Sequence, residues 1–244
     1  MTIICENWAS RIVEKGSDPF GLGRWSYFIL QRKGDIRIAI ITAYQVCTGT
    51  LSSLGPTTYA MQQYRKLSST FRSEHKTTQP NPRRQFILDL QAWLEHLITT
   101  KHDIILCLDE NEDYTQNAKF YTPLSFTPGK HVTSSTHDGS LSTLVNTCGL
   151  IDPLIIHHSM EKPPPTYSRG SNRIDYIFVS MGLQNSAIRS GILPYNHLFV
   201  SDHRPCFIDF ESSLLFKDPT YKIDPPKRRG LQLSDPRKTD LMIS

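Results

Sequence analysis

Residues 173–180 read RIDYIFVS, an apolar stretch with a carboxylate near its start. A short run rich in β-branched and aromatic residues is typical of a strand inside a sheet. Asp175 lies between Ile174 and Tyr176, where a carboxylate is costly unless a partner compensates its charge. The stretch therefore predicts a buried strand whose first residues belong to a polar site.

Two other apolar stretches also carry polar side chains where a strand begins or ends. These are Asp109 and Asn111, which follow IILCL (104–108), and Asp202 and His203, which precede PCFIDF (205–210). Taken singly, Asp109 could cap the turn that follows it, and Asp202 could be an ordinary turn residue. Three carboxylates at strand ends beside a histidine suit a hard, oxygen-binding cation and a site that activates water.

The rest of the chain supplies a mixture of strands and helices. Two β-rich runs, 24–30 and 36–44, are separated by a polar segment containing Gly34, which predicts a hairpin. Apolar residues recur at helical spacing over 57–72 and 84–100, and a further helix is expected near 139–147. Interspersed helices and antiparallel pairing favour an α+β class, with a mixed sheet or two-sheet sandwich flanked by helices.

Four motifs in this order resemble the endonuclease/exonuclease/phosphatase superfamily, which includes DNase I, exonuclease III-type apurinic endonucleases and the endonucleases of LINE-type retrotransposons. They are ITAY (41–44), LCLDEN (106–111), RIDYIFVS (173–180) and SDHRP (201–205), and the resemblance spans residues 23–210. It implies a DNase I-like two-sheet β-sandwich flanked by helices. One motif departs from the family, because Leu-Asp-Glu-Asn stands where the pattern is Gly-Asp-Phe-Asn.

The resemblance implies a metal-dependent phosphodiester hydrolase of the endonuclease type. His203 would contact the scissile phosphate and Asp175 would orient its imidazole. Asp109 would orient or deprotonate the attacking water, Asn111 would hold the water or a phosphate oxygen, and Tyr44 would hydrogen-bond the phosphate. The expected cofactor is Mg²⁺, with Mn²⁺ as a substitute, because the expected ligand side chains all offer oxygen. Those ligands are Asp202, Asp109 and Asn111.

Two strands of the family pattern are not found in this sequence. The pattern begins with a strand carrying asparagine, followed by a strand whose Gln-Glu pair supplies the principal metal ligand. Glu6 lies too close to the strand that starts at GRW (23–25) to match it, and is expected as a surface residue on a later family strand. The sequence thus suggests a domain lacking its first strands, with weakened metal binding and reduced or lost activity.

Composition sets the broad class. With 244 residues, 38% hydrophobic and 20% charged, the chain fits one globular domain, expected over 1–216. The region 217–244 holds seven Lys or Arg, four Asp and four Pro, which predicts a disordered basic tail and leaves the main body nearly neutral. The case for a nucleic-acid substrate, expected to be DNA, therefore rests on the site and not on surface charge.

The remaining expectations concern the cellular compartment and the alternative functions. No apolar run approaches a membrane span and no signal peptide is visible, so the expected location is the nucleus or cytoplasm, without secretion or membrane contact. The five widely spaced cysteines are expected to be reduced core residues. Two alternatives stay open: a non-catalytic, retroelement-derived remnant that binds nucleic acid or protein, and a phosphatase acting on a phospholipid or inositol phosphate. The oligomeric state is not predicted.

Overall fold

Six strands form the main sheet of the computed structural model, which describes residues 6–47, 55–75, 78–111, 126–132, 139–159, 163–197 and 200–218. The strand order in this sheet is β1-β2-β3-β4-β6-β5, and β7 and β8 form a separate two-stranded sheet. The bounds are β1 Ile12–Ser17, β2 Trp25–Gln31, β3 Arg37–Tyr44, β4 His102–Asp109, β5 Leu150–Ile151, β6 Asp175–Ser180, β7 Ala187–Ile192 and β8 Cys206–Phe210. This two-sheet α+β arrangement confirms the predicted fold class.

Five α-helices accompany the sheets in the described part of the chain. They are α1 Tyr59–Ser73, α2 Pro82–Thr99, α3 Leu141–Thr147, α4 Pro153–His158 and α5 Ser212–Phe216, with 3-10 helices at Glu6–Arg11 and Met181–Ser186. The start of α2 follows from its sequence: the Asn81 side chain accepts hydrogen bonds from the first backbone N–H groups, and Pro82 occupies the first turn. The predicted hairpin is β2–β3, and the first three helices match the predicted ones within a few residues.

The pairing of β4 with its two neighbours, β3 and β6, decides where the site lies. Strands β3 and β4 are parallel, because α1 and α2 form a crossover between them, whereas β6 runs antiparallel to β4. The carboxyl ends of β3 and β4 therefore meet the amino end of β6 at one edge of the sheet. In this register Tyr44 is the partner of Asp109, and Asp109 is the partner of Asp175.

The two faces of the main sheet are covered differently. On one face α1, α2 and α3 enclose a large core, in which Trp25 and Trp93 stack with ring centroids 5.7 Å apart. On the other face a smaller cluster forms around Leu215 and Phe216 of α5, and Trp8 packs edge-on against Phe216 at 5.0 Å. The second sheet adds Ile208 and Phe210, which are only partly buried, to this side.

A buried ion network fastens the β1–β2 turn to α2. The Arg24 guanidinium has no exposed surface and donates to Asp18 at 2.7 Å and to Asp89 at 2.8 Å. Asp89 is also paired with His131, whose Nδ1 lies 2.6 Å from its carboxylate. Because each buried charge here has a hydrogen-bonded partner, the network avoids the cost of an isolated charge in the core.

The structure corrects two expectations about single residues. Glu6 begins a 3-10 helix and is not part of a strand. Cys47 is exposed, although the cysteines were expected in the core; the chain has left the sheet at that point, beyond the end of β3 at Tyr44. Cys148 is buried as expected, whereas Cys107 and Cys206 are of intermediate exposure. Cys5 and residues 219–244 of the predicted tail (217–244) lie outside the described residues.

Sequence reasoning did not anticipate β1, β7 or α4. The sequence of β1, IVEKGS, lacks clean alternation, because this edge strand is mostly exposed. Within the described residues, no helix has the length and the apolar composition that a membrane span would need.

Candidate active site

Asp175 and His203 form a hydrogen-bonded pair at the edge of the main sheet. The His203 Nδ1 atom lies 2.9 Å from one carboxylate oxygen of Asp175 and 3.2 Å from the other. Burial lowers the pKa of His203, but the hydrogen bond and the charge of Asp175 outweigh it, so the pKa lies above its ordinary value. The pair fixes the tautomer in which Nδ1 carries a proton and leaves Nε2 to contact another group.

The segment that carries His203 is held by a short antiparallel bridge. Tyr167 pairs with His203, and the two rings are tilted with centroids 5.1 Å apart. The Ser168 N–H donates to the Asp202 carbonyl at 2.8 Å, and the Arg204 N–H donates to the Thr166 carbonyl at 2.7 Å. The backbone around His203 is therefore fixed before any substrate binds.

Thr166 links both halves of the pair, and sequence reasoning missed it. Its side chain is fully buried, and its hydroxyl accepts the N–H groups of Ile174 at 2.9 Å and Asp175 at 3.1 Å. Arg173, paired with Asp152 at 2.5 Å, donates to the carbonyl of Asp175 at 3.0 Å. The only signal in the sequence was Thr166 in the preceding turn and Arg173 as the first residue of RIDYIFVS, and neither indicates which group it contacts.

Asp109 faces this pair from the neighbouring strand. Burial raises the pKa of its carboxyl from 3.8 to about 6, and the charge of Asp175 adds to that effect while His203 opposes it. Its Oδ1 atom is buried and accepts no hydrogen bond from any residue that the structure describes. A carboxylate with an open acceptor position and a raised pKa is suited to accept a proton from water.

Asn111 is held just beyond the end of β4. It adopts a left-handed backbone conformation (φ 55°), which asparagine tolerates better than most residues. Its amide nitrogen donates to the Gln45 carbonyl at 2.8 Å, and the Cys47 thiol donates to its Oδ1 at 3.4 Å. Tyr44 lies 3.8 Å from the same sulfur, and burial is the main cause that raises the pKa of this tyrosine to about 12.

Asp202 is placed differently from the other predicted residues. Its carboxylate lies 3.3 Å from the Arg169 guanidinium, and both side chains are largely exposed. Arg169 in turn lies over the Tyr167 ring, 5.6 Å from its centroid. The structure therefore brings together Asp109, Asp175 and His203, with Asn111 and Tyr44 beside them, and places the Asp202 carboxylate in an ion pair on the rim.

The cluster can be tested for its fit to a divalent cation. One ligand atom each from Asp109, Asp175 and His203 lies within 4.8 Å of the others. Asp175 and His203 are engaged with each other, so Asp109 offers the open anionic oxygen and Asn111 a neutral one. Oxygen donors of this kind fit Mg²⁺, whereas Asp202 would first have to leave Arg169.

Comparisons with known proteins give likeness of fold alone. No family model matches the sequence, and no curated protein matches it. A 3'-5' exonuclease, NExo from Neisseria meningitidis, is 19% identical over 78% of this chain and 65% of its own, with a TM-score of 0.47. The AP endonuclease LMAP from Leishmania major is 18% identical over 76% and 54%, with a TM-score of 0.42.

The catalytic domain of APE2 from Xenopus laevis is 17% identical over 77% of this chain and 55% of its own, with a TM-score of 0.43. The chain spans less than two thirds of the length of each of these proteins. At such identities and TM-scores the likeness says nothing about activity.

Proposed function

We propose that this protein is a magnesium-dependent phosphodiester hydrolase that cleaves nucleic acid, with DNA as the expected substrate. The observation that carries the proposal is the hydrogen-bonded pair of His203 and Asp175 facing the Asp109 carboxylate. Hydrolysis of a phosphodiester needs a proton acceptor for water and a cationic group for the developing charge on phosphate. These three side chains supply both functions at one sheet edge.

Each residue has a role that follows from its environment. His203, whose pKa is raised, stays protonated toward neutral pH and presents Nε2–H to a phosphate oxygen, while Asp175 keeps the ring oriented. Asp109 is ionised above about pH 6 and accepts the proton of the attacking water. Asn111 and Tyr44 offer an amide and a hydroxyl for the water or the phosphate.

The proposed cation is Mg²⁺, with Mn²⁺ as a substitute, held by Asp109 and Asn111 and completed by Asp202 once it leaves Arg169. Its contribution when bound is to neutralise charge at the scissile phosphate. Within the described cluster the Asp175 carboxylate is engaged by His203, which leaves Asp109 as the carboxylate with an open oxygen, so we expect weak metal binding and slow cleavage.

The test is nicking of plasmid and of abasic-site DNA by the purified chain with Mg²⁺ or Mn²⁺. The expected result is slow cleavage that EDTA removes and that His203→Gln and Asp175→Asn each reduce by at least ~10²-fold. Asp209→Asn is the control, because Asp209 is an exposed partner of Arg189 on the second sheet. Cleavage that persists in His203→Gln would contradict the assignment.

A second candidate, a non-catalytic protein that binds nucleic acid or a protein partner, is favoured by one feature. The Asp202 carboxylate is already neutralised by Arg169 at 3.3 Å, which leaves the cation site short of charge. DNA binding without cleavage at any Mg²⁺ or Mn²⁺ concentration would support it. A parallel panel of inositol phosphates and phospholipids tests the phosphatase alternative, which predicts phosphate release from those substrates and none from DNA.

A further inference from the structure

A buried carboxylate with no role in the proposed chemistry stands between two candidate catalytic residues. Glu110 follows Asp109 and precedes Asn111, and only 2% of its surface is exposed. Its Oε1 atom lies 3.9 Å from the guanidinium of Arg83, on the first turn of α2. A buried carboxylate needs such a partner, since an uncompensated charge at this depth is strongly destabilising.

The Arg83 guanidinium makes a second set of contacts that charge balance does not require. One terminal nitrogen donates to the Val46 carbonyl, and the other donates to the Glu110 carbonyl at 3.2 Å. These two carbonyls belong to the segments that leave β3 and β4 at the site. A planar guanidinium suits this task, because its donors are fixed in direction and can join two acceptors at once.

The two segments carry the candidate site residues that lie beyond the sheet. Val46 stands two positions after Tyr44, and the Gln45 N–H between them donates to the Asp109 carbonyl at 2.8 Å. The Gln45 side chain also donates to the Arg83 carbonyl at 3.2 Å. Arg83 therefore holds the β3 end with both its side chain and its backbone.

The helix gives this connection a rigid base. The Asn81 side chain caps α2 and accepts a hydrogen bond from the Arg83 N–H at 3.0 Å. The helix is packed against the main sheet in the larger core. A shift of about 1 Å in a catalytic group can cost ~10²-fold in rate, so a fixed bridge between the two segments matters for catalysis.

We propose that Arg83 is a positioning residue that aims Asp109 and Asn111 by bridging the Val46 and Glu110 carbonyls, while the Glu110 carboxylate serves only to balance its charge. The expected loss of kcat rests on the proposed function, whereas the expected loosening of the two segments does not. It separates two effects of one guanidinium, namely hydrogen bonds to backbone carbonyls and neutralisation of a buried carboxylate.

The experiment compares Arg83→Met, Glu110→Gln and the double variant, with Arg84→Met, the next position of the same helix turn, as the matched control. Three quantities are measured: kcat and KM for nicking of abasic-site DNA, Tm, and hydrogen exchange of the Gln45 amide. Arg83→Met is expected to lower kcat by ~10- to 100-fold with KM within ~3-fold, and to speed exchange of the Gln45 amide at least ~10-fold.

The remaining variants decide between the two effects. Glu110→Gln and Arg84→Met are expected to leave kcat and the exchange rate within ~3-fold of the unmodified chain. The double variant should recover Tm relative to Arg83→Met, because it no longer buries the Glu110 carboxylate without the Arg83 guanidinium, but it should recover neither kcat nor amide protection. Recovery of both by the double variant would show that Arg83 acts only through charge, and would overturn the proposal.

One further variant and one measurement cover the cases in which Arg83→Met does not fold or the unmodified chain does not cleave DNA. If Arg83→Met fails to fold, Arg83→Lys retains the charge without the planar fork, and normal protection of the Gln45 amide in that variant overturns the proposal. If the unmodified chain does not cleave DNA, the proposed function fails, and exchange of the Gln45 amide alone decides the positioning role.

Discussion

Replacing Asp109 by asparagine is expected to stabilise the fold while removing activity. Burial and the charge of Asp175 raise the pKa of Asp109 from 3.8 to about 6. Ionising this carboxyl group therefore costs more free energy in the folded state than in the unfolded chain. The folded state therefore binds the proton more tightly, and stability falls as pH rises from about 4 to about 6. Above that range the full cost of ionisation is present.

The size of this cost follows from the two pKa values. The difference between 3.8 and about 6 corresponds to at most ~3 kcal/mol, at ~1.4 kcal/mol for each unit of pKa. The side chain is only partly buried, so solvent screening reduces the figure to ~1–2 kcal/mol. A domain of this length shifts its Tm by ~2–4 °C per kcal/mol, which predicts a gain of ~2–8 °C for Asp109→Asn.

The measurement is thermal unfolding of the unmodified chain and Asp109→Asn at pH about 4 and about 8, in EDTA so that no cation compensates the carboxylate. The two Tm values should agree near the lower pH and separate near the higher one. Asp209→Asn, at the exposed pair with Arg189, is the control and should show no such separation. A Tm for Asp109→Asn at or below that of the unmodified chain near pH 8 would refute the assigned environment of Asp109.

Three further outcomes are expected from the same geometry. The rate of DNA nicking should rise with pH as Asp109 loses its proton near pH 6, or at a lower pH when a bound cation favours the ionised form. The rate should fall again above the raised pKa of His203. A rate that does not change with pH in stopped assays would contradict both roles. Arg24→Met should lower the free energy of unfolding in urea by ~3–5 kcal/mol, because Asp18 and Asp89 stay buried without the guanidinium that joins them; a loss under ~1 kcal/mol would show that the network relaxes. Thr166→Val should cost ~1–3 kcal/mol by leaving the partly buried N–H groups of Ile174 and Asp175 without this acceptor, whereas Thr166→Ser should keep most of the stability in the same urea titration.

The strands of the site could be predicted because their composition is locally decisive. The runs IILCL and RIDYIFVS are continuous and apolar, and a carboxylate at the end of such a run needs a partner wherever it lies. That argument identified Asp109 and Asp175 as site residues, and the register of β4 and β6 makes them direct cross-strand partners. Helices α1 and α2 were predicted equally well, since their apolar residues recur at helical spacing.

Other features could not be predicted because they depend on contacts between distant segments. Edge strand β1 has no apolar alternation, so its sequence does not distinguish it from a loop. The Asp202 carboxylate was expected at the cation, yet it pairs with Arg169 on the rim. That choice depends on the bridge between Tyr167 and His203, which brings the two segments together and which no local pattern encodes.

The sequence by itself therefore determined the candidate residues for the proposed chemistry and the strands that bear them, because hydrophobic periodicity and the cost of a buried charge act over a few neighbouring residues. Only the tertiary structure decided their partners: Asp175 with His203, Asp202 with Arg169, and Arg83 across the ends of β3 and β4. Hydrogen bonds require donor and acceptor within about 3 Å and nearly in line. That geometry is set by packing of segments far apart in the chain, so it exists only in the folded molecule.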